Sequence, residues 1–138
     1  MGLYEINTFS FISPKYYDKI CMPKDDVRRK SVVITNPLGE DTSVMRTTSI
    51  PSVLEVLAKN NNLKNDDVAI FEVSTIYIPD EDIKNLPREP KQVVIGMYGK
   101  HDFYDLKGVI DELFDKCSIK HIEYKANRNN PTFHPGRC

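Results

Sequence analysis

The pattern of apolar and polar residues is most regular between residues 49 and 78. Apolar residues occupy positions 50, 53, 54, 57 and 58, a spacing that places one apolar stripe along a helix. Ser49 offers a capping hydroxyl and Pro51 suits a first helical turn, so the helix is expected to start here. Asn60-Asn61-Asn62 is expected to end it, because asparagine competes for backbone hydrogen bonds.

A polar break separates this helix from the run Val68–Ile78, which is rich in β-branched residues and predicts a central strand. Because side chains alternate along a strand, Glu72 and Ser74 interrupt an otherwise apolar face. A carboxylate in such a place needs hydrogen-bonding partners or a wet cleft. Two interpretations stay open: Glu72 belongs to a functional cleft, or it pairs with a basic residue on a neighbouring strand.

A second helix is predicted to begin after Asp102, with apolar residues repeating every three or four positions as far as Cys117. Asp102 acts as the cap, and Asp105 in the first turn suits the helix dipole. Gly108 inside this helix costs ~1 kcal/mol relative to alanine. We therefore expect Gly108 to permit close packing against another element.

The remaining segments define the expected fold class. The strand Gln92–Gly99 contains two glycines, which indicate a bulge or a close backbone approach. Further strands are predicted over Leu3–Ile12, Ser31–Thr35 and Lys120–Ala126, and a short helix after Ser13-Pro14. The order β-α-β-α-β-β-α-β, with a hairpin-length link from Asp80 to Pro90, predicts one α+β domain over residues 1–138, with a mainly antiparallel sheet flanked by helices.

Composition narrows the functional classes without selecting one. The net charge is −1 and 28% of residues are charged, so there is no global attraction to nucleic acid or anionic membranes. No stretch approaches the ~20 apolar residues of a membrane-spanning helix, and there is no secretory h-region. The three cysteines form no CxxC pair and the three histidines do not cluster with them, so we expect no disulfide framework, no metal site and a reducing cytoplasm.

Two short basic segments are candidates for contact with RNA. The first closes a charged link, and the second lies near the end of the chain, where basic residues outnumber acidic ones. A solvated surface is the simpler explanation of both. The candidate contact residues are Arg28, Arg29, Lys30, Lys120, Lys125 and Arg128.

Several stretches together resemble one known family. They are Thr8-Phe-Ser-Phe-Ile-Ser-Pro14, Asn36-Pro-Leu-Gly-Glu-Asp-Thr-Ser-Val-Met-Arg-Thr-Thr48, Phe71-Glu-Val73, Asp102-Phe-Tyr-Asp-Leu-Lys-Gly108 and Phe133-His-Pro-Gly-Arg137. In order and spacing they resemble the class II synthetase-like module of the bacterial phenylalanyl-tRNA synthetase beta subunit, and the resemblance covers nearly the whole chain.

The resemblance implies a fragment of a longer subunit, without that family's editing domain, anticodon-binding domain or magnesium-linked segment. It implies a truncated class II fold that is a degenerate copy of the catalytic one, because the family's alpha subunit performs the chemistry. The implied partners are the alpha subunit, other beta-subunit domains and tRNA(Phe), in a cytoplasmic heterotetramer. ATP and Mg²⁺ are implied for the whole complex, and no cofactor is expected on this fragment.

The residues agree with a site that has lost its activity. Class II synthetases hold the ATP α-phosphate with an arginine on a central strand, which stabilises charge developing at phosphorus. No arginine occurs between Arg46 and Arg88, and Thr75 and Ser74 occupy the positions where the family has arginine and glycine. Arg46, Glu72, Ser74 and Thr75 are therefore predicted to form a pseudo-active site, with no catalytic residue.

Two alternatives to this structural, assembly role remain at this point. The chain could be an RNA-binding module that contacts tRNA through its basic segments. It could also be an active adenylating domain that places Arg46, Glu72 and Lys107 around ATP.

Overall fold

Two small sheets and three α-helices form the part of the chain that the computed structural model describes, residues 2–80 and 86–135. No helix in these two ranges is long and apolar enough to cross a membrane. In chain order the elements are β1 (Tyr4–Glu5), β2 (Phe11–Ile12), α1 (Tyr16–Lys19), β3 (Val44–Met45), α2 (Ile50–Asn62), β4 (Val68–Thr75), β5 (Lys91–Tyr98) and α3 (Phe103–Lys116).

The larger sheet has the order β1-β4-β5, with the predicted central strand β4 in the middle. β4 and β5 pair antiparallel without a bulge, from Val68 opposite Tyr98 to Thr75 opposite Lys91. β1 adds a short parallel pairing on the other side. β4 ends three residues earlier than predicted, because Ile78 makes only an isolated bridge to Arg88.

Helix α2 lies over one face of this sheet, and Gly96 lets it come close. A Cβ atom at Gly96 would lie 2.6 Å from Leu57 Cδ1 and 3.3 Å from Val53 Cγ1. The predicted close backbone approach in β5 is therefore confirmed. Pro51 lies in the first turn of α2 as expected, but the Ser49 hydroxyl makes no capping hydrogen bond.

The smaller sheet pairs β2 with β3, Ile12 opposite Val44. Together with α1 and the turn that follows α1, this sheet encloses a compact apolar core. Residues 31–35 do not form the predicted strand; their pairing is limited to an isolated bridge between Val33 and Val44. The core comprises Ile12, Tyr17, Ile20, Met22 and Val44.

Two other strand predictions are wrong, for different reasons. The predicted strand Leu3–Ile12 is divided into β1 and β2, which belong to different sheets, because Thr8 turns aside to bond Glu72 of β4. Lys120–Ala126 forms no strand. A strand needs a ladder partner, and residues 120–126 have none among the described residues; His121 instead takes a positive φ of 62°.

Helix α3 has the predicted bounds and a complete capping box between Asp102 and Asp105. None of its residues is fully buried. The expectation that Gly108 permits close packing is wrong, since nothing lies within 4 Å of a Cβ built there. Residues 81–85 of the predicted loop and Gly136–Cys138 of the terminal turn lie outside the described residues.

We expect Gly96→Val to destabilise the domain by about 1–3 kcal/mol, because the added atoms would overlap Leu57 and Val53. The matched control is Gly108→Ala, which meets no neighbour and should stabilise the domain by about 0.5–1 kcal/mol through better helix propensity. Urea denaturation of both variants checks the prediction. A Gly96→Val domain as stable as the parent would contradict the close approach of α2.

Candidate functional site

A buried ion pair lies at the centre of the larger sheet. Glu72, in the middle of β4, is 1% exposed, and Arg46, just after β3, is 2% exposed. Arg46 Nη1 lies 3.2 Å from Glu72 Oε1. Of the two interpretations of Glu72, the structure shows the pairing with a basic residue. That residue, Arg46, follows β3 of the smaller sheet and does not lie on a strand next to β4.

Thr8 completes this pair and was missed by the sequence reasoning. Its backbone N–H donates to Glu72 Oε1 at 3.0 Å, and its hydroxyl lies 2.9 Å from Oε1 and 3.0 Å from Oε2. Arg46 Nη1 donates to the same hydroxyl at 2.8 Å. The hydroxyl therefore gives its proton to the carboxylate and accepts one from the guanidinium. We call Thr8, Arg46 and Glu72 the Arg46–Glu72 cluster.

Arg46 also bonds backbone carbonyls on both sides of the cluster. Its Nε donates to the Thr75 carbonyl at 3.1 Å, and Nη1 lies 3.4 Å from the Phe9 carbonyl. Its backbone N–H donates to Ser10 and its carbonyl accepts from Tyr77. Arg46 thus links β4 to the segment between β1 and β2, through its side chain and its backbone.

The residues that follow Arg46 continue this polar layer up to α2. Thr47, Thr48 and Ser49 are all buried. The Tyr17 hydroxyl lies 3.0 Å from Thr47 Oγ1. The Oε1 atom of Gln92 in β5 accepts from the Ser49 N–H at 2.8 Å and from the Ser49 hydroxyl at 2.9 Å. This explains why the Ser49 hydroxyl does not cap α2.

The other two predicted pseudo-site residues lie beside the cluster and outside its side-chain network. Thr75 contributes its carbonyl to Arg46, while its hydroxyl accepts from Lys91 Nζ at 2.8 Å. Ser74 is 5% exposed, and its hydroxyl is the one buried side-chain polar atom without a hydrogen bond among the described residues. Their role as a pseudo-active site stays a prediction.

Lys107, which the adenylating alternative placed near ATP, lies in α3 away from the cluster. It forms an ion pair with Asp111 at 2.6 Å and sits 4.4 Å from the centre of the Tyr124 ring. The Tyr124 hydroxyl donates to the same carboxylate, and both contacts hold the pKa of Asp111 below its usual value.

Two of the three basic residues of the first candidate RNA segment, Arg28 and Arg29, are paired with neighbouring carboxylates. Arg28 donates through Nε and Nη2 to Asp26, at 2.9 Å and 2.6 Å. These bonds, with the Arg28 N–H, lower the pKa of Asp26 to about 2. Arg29 bonds Asp18 at 2.7 Å, and in the second segment Lys125 bonds Glu123 at 3.1 Å. Lys30, Lys120 and Arg128 are exposed.

A groove of about 650 Å³ runs beside Thr8, between the β2 segment and α2. Thr8, Phe9, Tyr16, Glu55 and Lys59 are among its lining residues. Arg46 and Glu72 do not line it. In residues 2–80 and 86–135 no three His, Cys, Asp or Glu side chains are placed to hold a metal ion.

This fold defines a class of protein. It is similar to the pyrrolysyl-tRNA synthetase of Desulfitobacterium hafniense in two solved structures, with TM-scores of 0.71 and 0.70, at 15% and 14% sequence identity. The similarity covers 93% of this chain and 46% or 44% of those chains. The expected class II aminoacyl-tRNA synthetase-like α+β fold is therefore confirmed.

Sequence comparison then specifies the family. The model of the phenylalanyl tRNA synthetase beta chain CLM domain matches residues 1–138. The phenylalanine–tRNA ligase beta subunits of Clostridium tetani and Clostridium acetobutylicum are each 46% identical over 136 residues, 99% of this chain. The chain belongs to the phenylalanyl-tRNA synthetase beta subunit family. It spans 17% of the length of these relatives.

We expect Arg46→Met or Glu72→Leu alone to cost about 3–5 kcal/mol of unfolding free energy, because either leaves a buried charge unpaired. The double variant should cost much less than the sum of the two. The control is Lys107→Met, which breaks a partly exposed pair and should cost about 0–1 kcal/mol. Urea denaturation measures all four. Additive single costs would mean that the two charges do not interact.

A second prediction concerns Asp26. Arg28→Gln removes the largest cause of its low pKa, so this pKa should rise from about 2 toward the usual ~3.9, while the backbone donor at position 28 keeps it somewhat lower. A depressed carboxyl pKa stabilises the fold above about pH 4, and this contribution is lost as the pH falls toward 2.

The variant should therefore show a smaller loss of stability across that acid range. An NMR titration of the carboxyl carbons measures the pKa, with Asp111 as the internal control that should not move. An unchanged Asp26 pKa in the variant would contradict the Arg28–Asp26 pairing.

Proposed function

We propose that this domain is a non-catalytic structural module of phenylalanine–tRNA ligase. In this role it supports the alpha subunit, which attaches phenylalanine to its tRNA with ATP and Mg²⁺. The observation that carries the proposal is that the guanidinium of Arg46 is already bonded to Glu72, Thr8 and two backbone carbonyls.

Holding a phosphate requires a cation whose donors are free and whose charge is not cancelled. Arg46 faces a buried carboxylate at 3.2 Å, so the pair presents no net positive charge. Moving Arg46 toward a phosphate would leave Glu72 buried and unpaired, which is strongly unfavourable. Thr75, at the position where the family has arginine, is neutral. The cluster therefore suits a structural role in the sheet.

Family membership supports the partners of this proposal. They are the alpha subunit, the remaining domains of the beta subunit and tRNA(Phe), in a cytoplasmic heterotetrameric ligase. Contact with tRNA through the basic segments is less favoured, because Arg28, Arg29 and Lys125 are each paired with a carboxylate. ATP is assigned to the whole complex, with no nucleotide on this domain.

The test uses the intact ligase carrying Arg46→Met together with Glu72→Leu in the beta subunit. We expect kcat and the KM for ATP, measured per assembled complex, to stay within about twofold of the parent, because the proposed role of the cluster is structural and involves no contact with ATP. A tenfold change would correspond to about 1.4 kcal/mol of lost transition-state or ground-state binding. The melting temperature of the complex should fall. Lys107→Met in the same subunit controls for loss of a surface cation.

Two results would contradict the proposal. One is a rise of tenfold or more in the KM for ATP in the double variant at unchanged assembly. The other is ATP–pyrophosphate exchange by this chain alone. Tight tRNA(Phe) binding by the chain alone, weakening steeply as salt rises, would favour the RNA-binding alternative instead.

A further inference from the structure

The carboxylate of Glu72 is held in the way that a protein holds a bound anion. Its Oε1 atom accepts from the Thr8 backbone N–H at 3.0 Å and lies 3.2 Å from Arg46 Nη1. The Thr8 hydroxyl lies 2.9 Å from Oε1 and 3.0 Å from Oε2. Within residues 2–80 and 86–135 these three groups are its hydrogen-bond donors, and all of them come from segments distant in sequence. We call these three groups the donor set.

The donor set is kept in place by bonds that do not involve Glu72. Arg46 Nε donates to the Thr75 carbonyl at 3.1 Å, and the Arg46 backbone N–H donates to the Ser10 carbonyl at 3.0 Å. The segment that carries Thr8 is fixed by the parallel pairing of β1 with β4. A shorter side chain at position 72 would leave these bonds intact, so the donors would still converge on the space of the missing carboxylate. Donors that are already ordered bind an anion at a lower entropic cost.

The chemistry of the donor set suits a monocarboxylate. It offers hydrogen bonds to two oxygens together with one guanidinium charge, which match a planar group with a single negative charge. A phosphate would bring further oxygens that find no donor there, and a phosphate dianion would leave negative charge uncompensated. That cost would be high because the described residues alone enclose the space: Arg46 is 2% exposed and Glu72 is 1% exposed.

We propose that Thr8 and Arg46 form a carboxylate-binding site, which Glu72 occupies in the native chain and which takes a small monocarboxylate from solution when position 72 is shortened. Glu72→Ala removes the Cγ methylene and the carboxyl group, which together are the heavy atoms of acetate. Thr8 also lines the groove of about 650 Å³ beside the cluster, which gives acetate a route to the vacated space. The site is a property of the 138-residue chain and does not depend on the proposed function.

The test is urea denaturation of Glu72→Ala in sodium acetate, sodium chloride and sodium phosphate at equal ionic strength. Each result is compared with the parent chain in the same salt, because salts also shift stability through a general effect on the protein surface. In about 0.1 M acetate the folding equilibrium constant of the variant should rise about tenfold more than that of the parent, as for a dissociation constant on the order of 10 mM. Chloride and phosphate should give no such excess.

Three further variants control for the identity and the size of the site. Glu72→Gln keeps the space filled, so acetate should add nothing beyond its effect on the parent. Arg46→Met added to Glu72→Ala removes the positive charge and should abolish the response to acetate. Glu72→Gly removes one carbon more than Glu72→Ala does, so propionate should stabilise this variant more than acetate does.

A Glu72→Ala chain that acetate neither stabilises nor refolds overturns the proposal, including the case in which this variant is unfolded without acetate. An acetate response that persists when Arg46→Met is added overturns it as well, because the donor set would then be a different one. A larger excess in phosphate than in acetate overturns the assignment of the ligand class. These measurements involve neither ATP nor tRNA, so their failure is distinct from a failure of the proposed function in the intact ligase.

Discussion

The ion pair between Arg46 and Glu72 is the interaction on which the rest of this domain depends. It joins three stretches distant in sequence: the segment around Thr8, the link between β3 and α2, and the central strand β4. Burying two charges is expensive, and their attraction offsets that cost only where further hydrogen bonds satisfy both groups. Thr8 and two backbone carbonyls supply those bonds. Because either charge alone would be strongly unfavourable in this place, the pair favours one arrangement of these segments over others.

The path of the chain follows from that arrangement. The first predicted strand is divided because Thr8 must reach Glu72, which leaves β1 beside β4 and sends β2 to the smaller sheet. Arg46 fixes where the polar link after β3 crosses the sheet. Ser49 is then placed over Gln92, and α2 begins there. From that starting point α2 runs across β5, where Gly96 removes the side chain that would keep the two apart. A polar layer and an apolar layer thus meet on the same sheet face.

Features governed by local chemistry could be predicted from the sequence. The strand β4, the helices α2 and α3 and the cap at Asp102 all follow from neighbouring residues. Features that need a distant partner could not. The sequence pattern indicated that Glu72 needs a basic partner. It did not indicate the hydrogen bond from Thr8, because Thr8 lies inside a stretch predicted to be one continuous strand. Residues 120–126 alternate like a strand, but no described strand pairs with them. Gly108 suggested close packing, but nothing lies near the position of its missing Cβ.

Under the proposed function, the same geometry keeps this synthetase-like sheet folded without a bound nucleotide. A ligand that binds only the folded state stabilises it by an amount that grows with the logarithm of its concentration, so an open phosphate site makes stability depend on the ligand. Here the anion facing the arginine is a carboxylate of the same chain, present in every molecule and already desolvated. Its effective concentration is fixed by the fold, and Thr8 holds its orientation. To bind Arg46, an external phosphate would have to displace the Glu72 carboxylate, which belongs to the same chain and is already hydrogen-bonded. The Arg46–Glu72 pair therefore serves, in this domain, to hold the two sheets together.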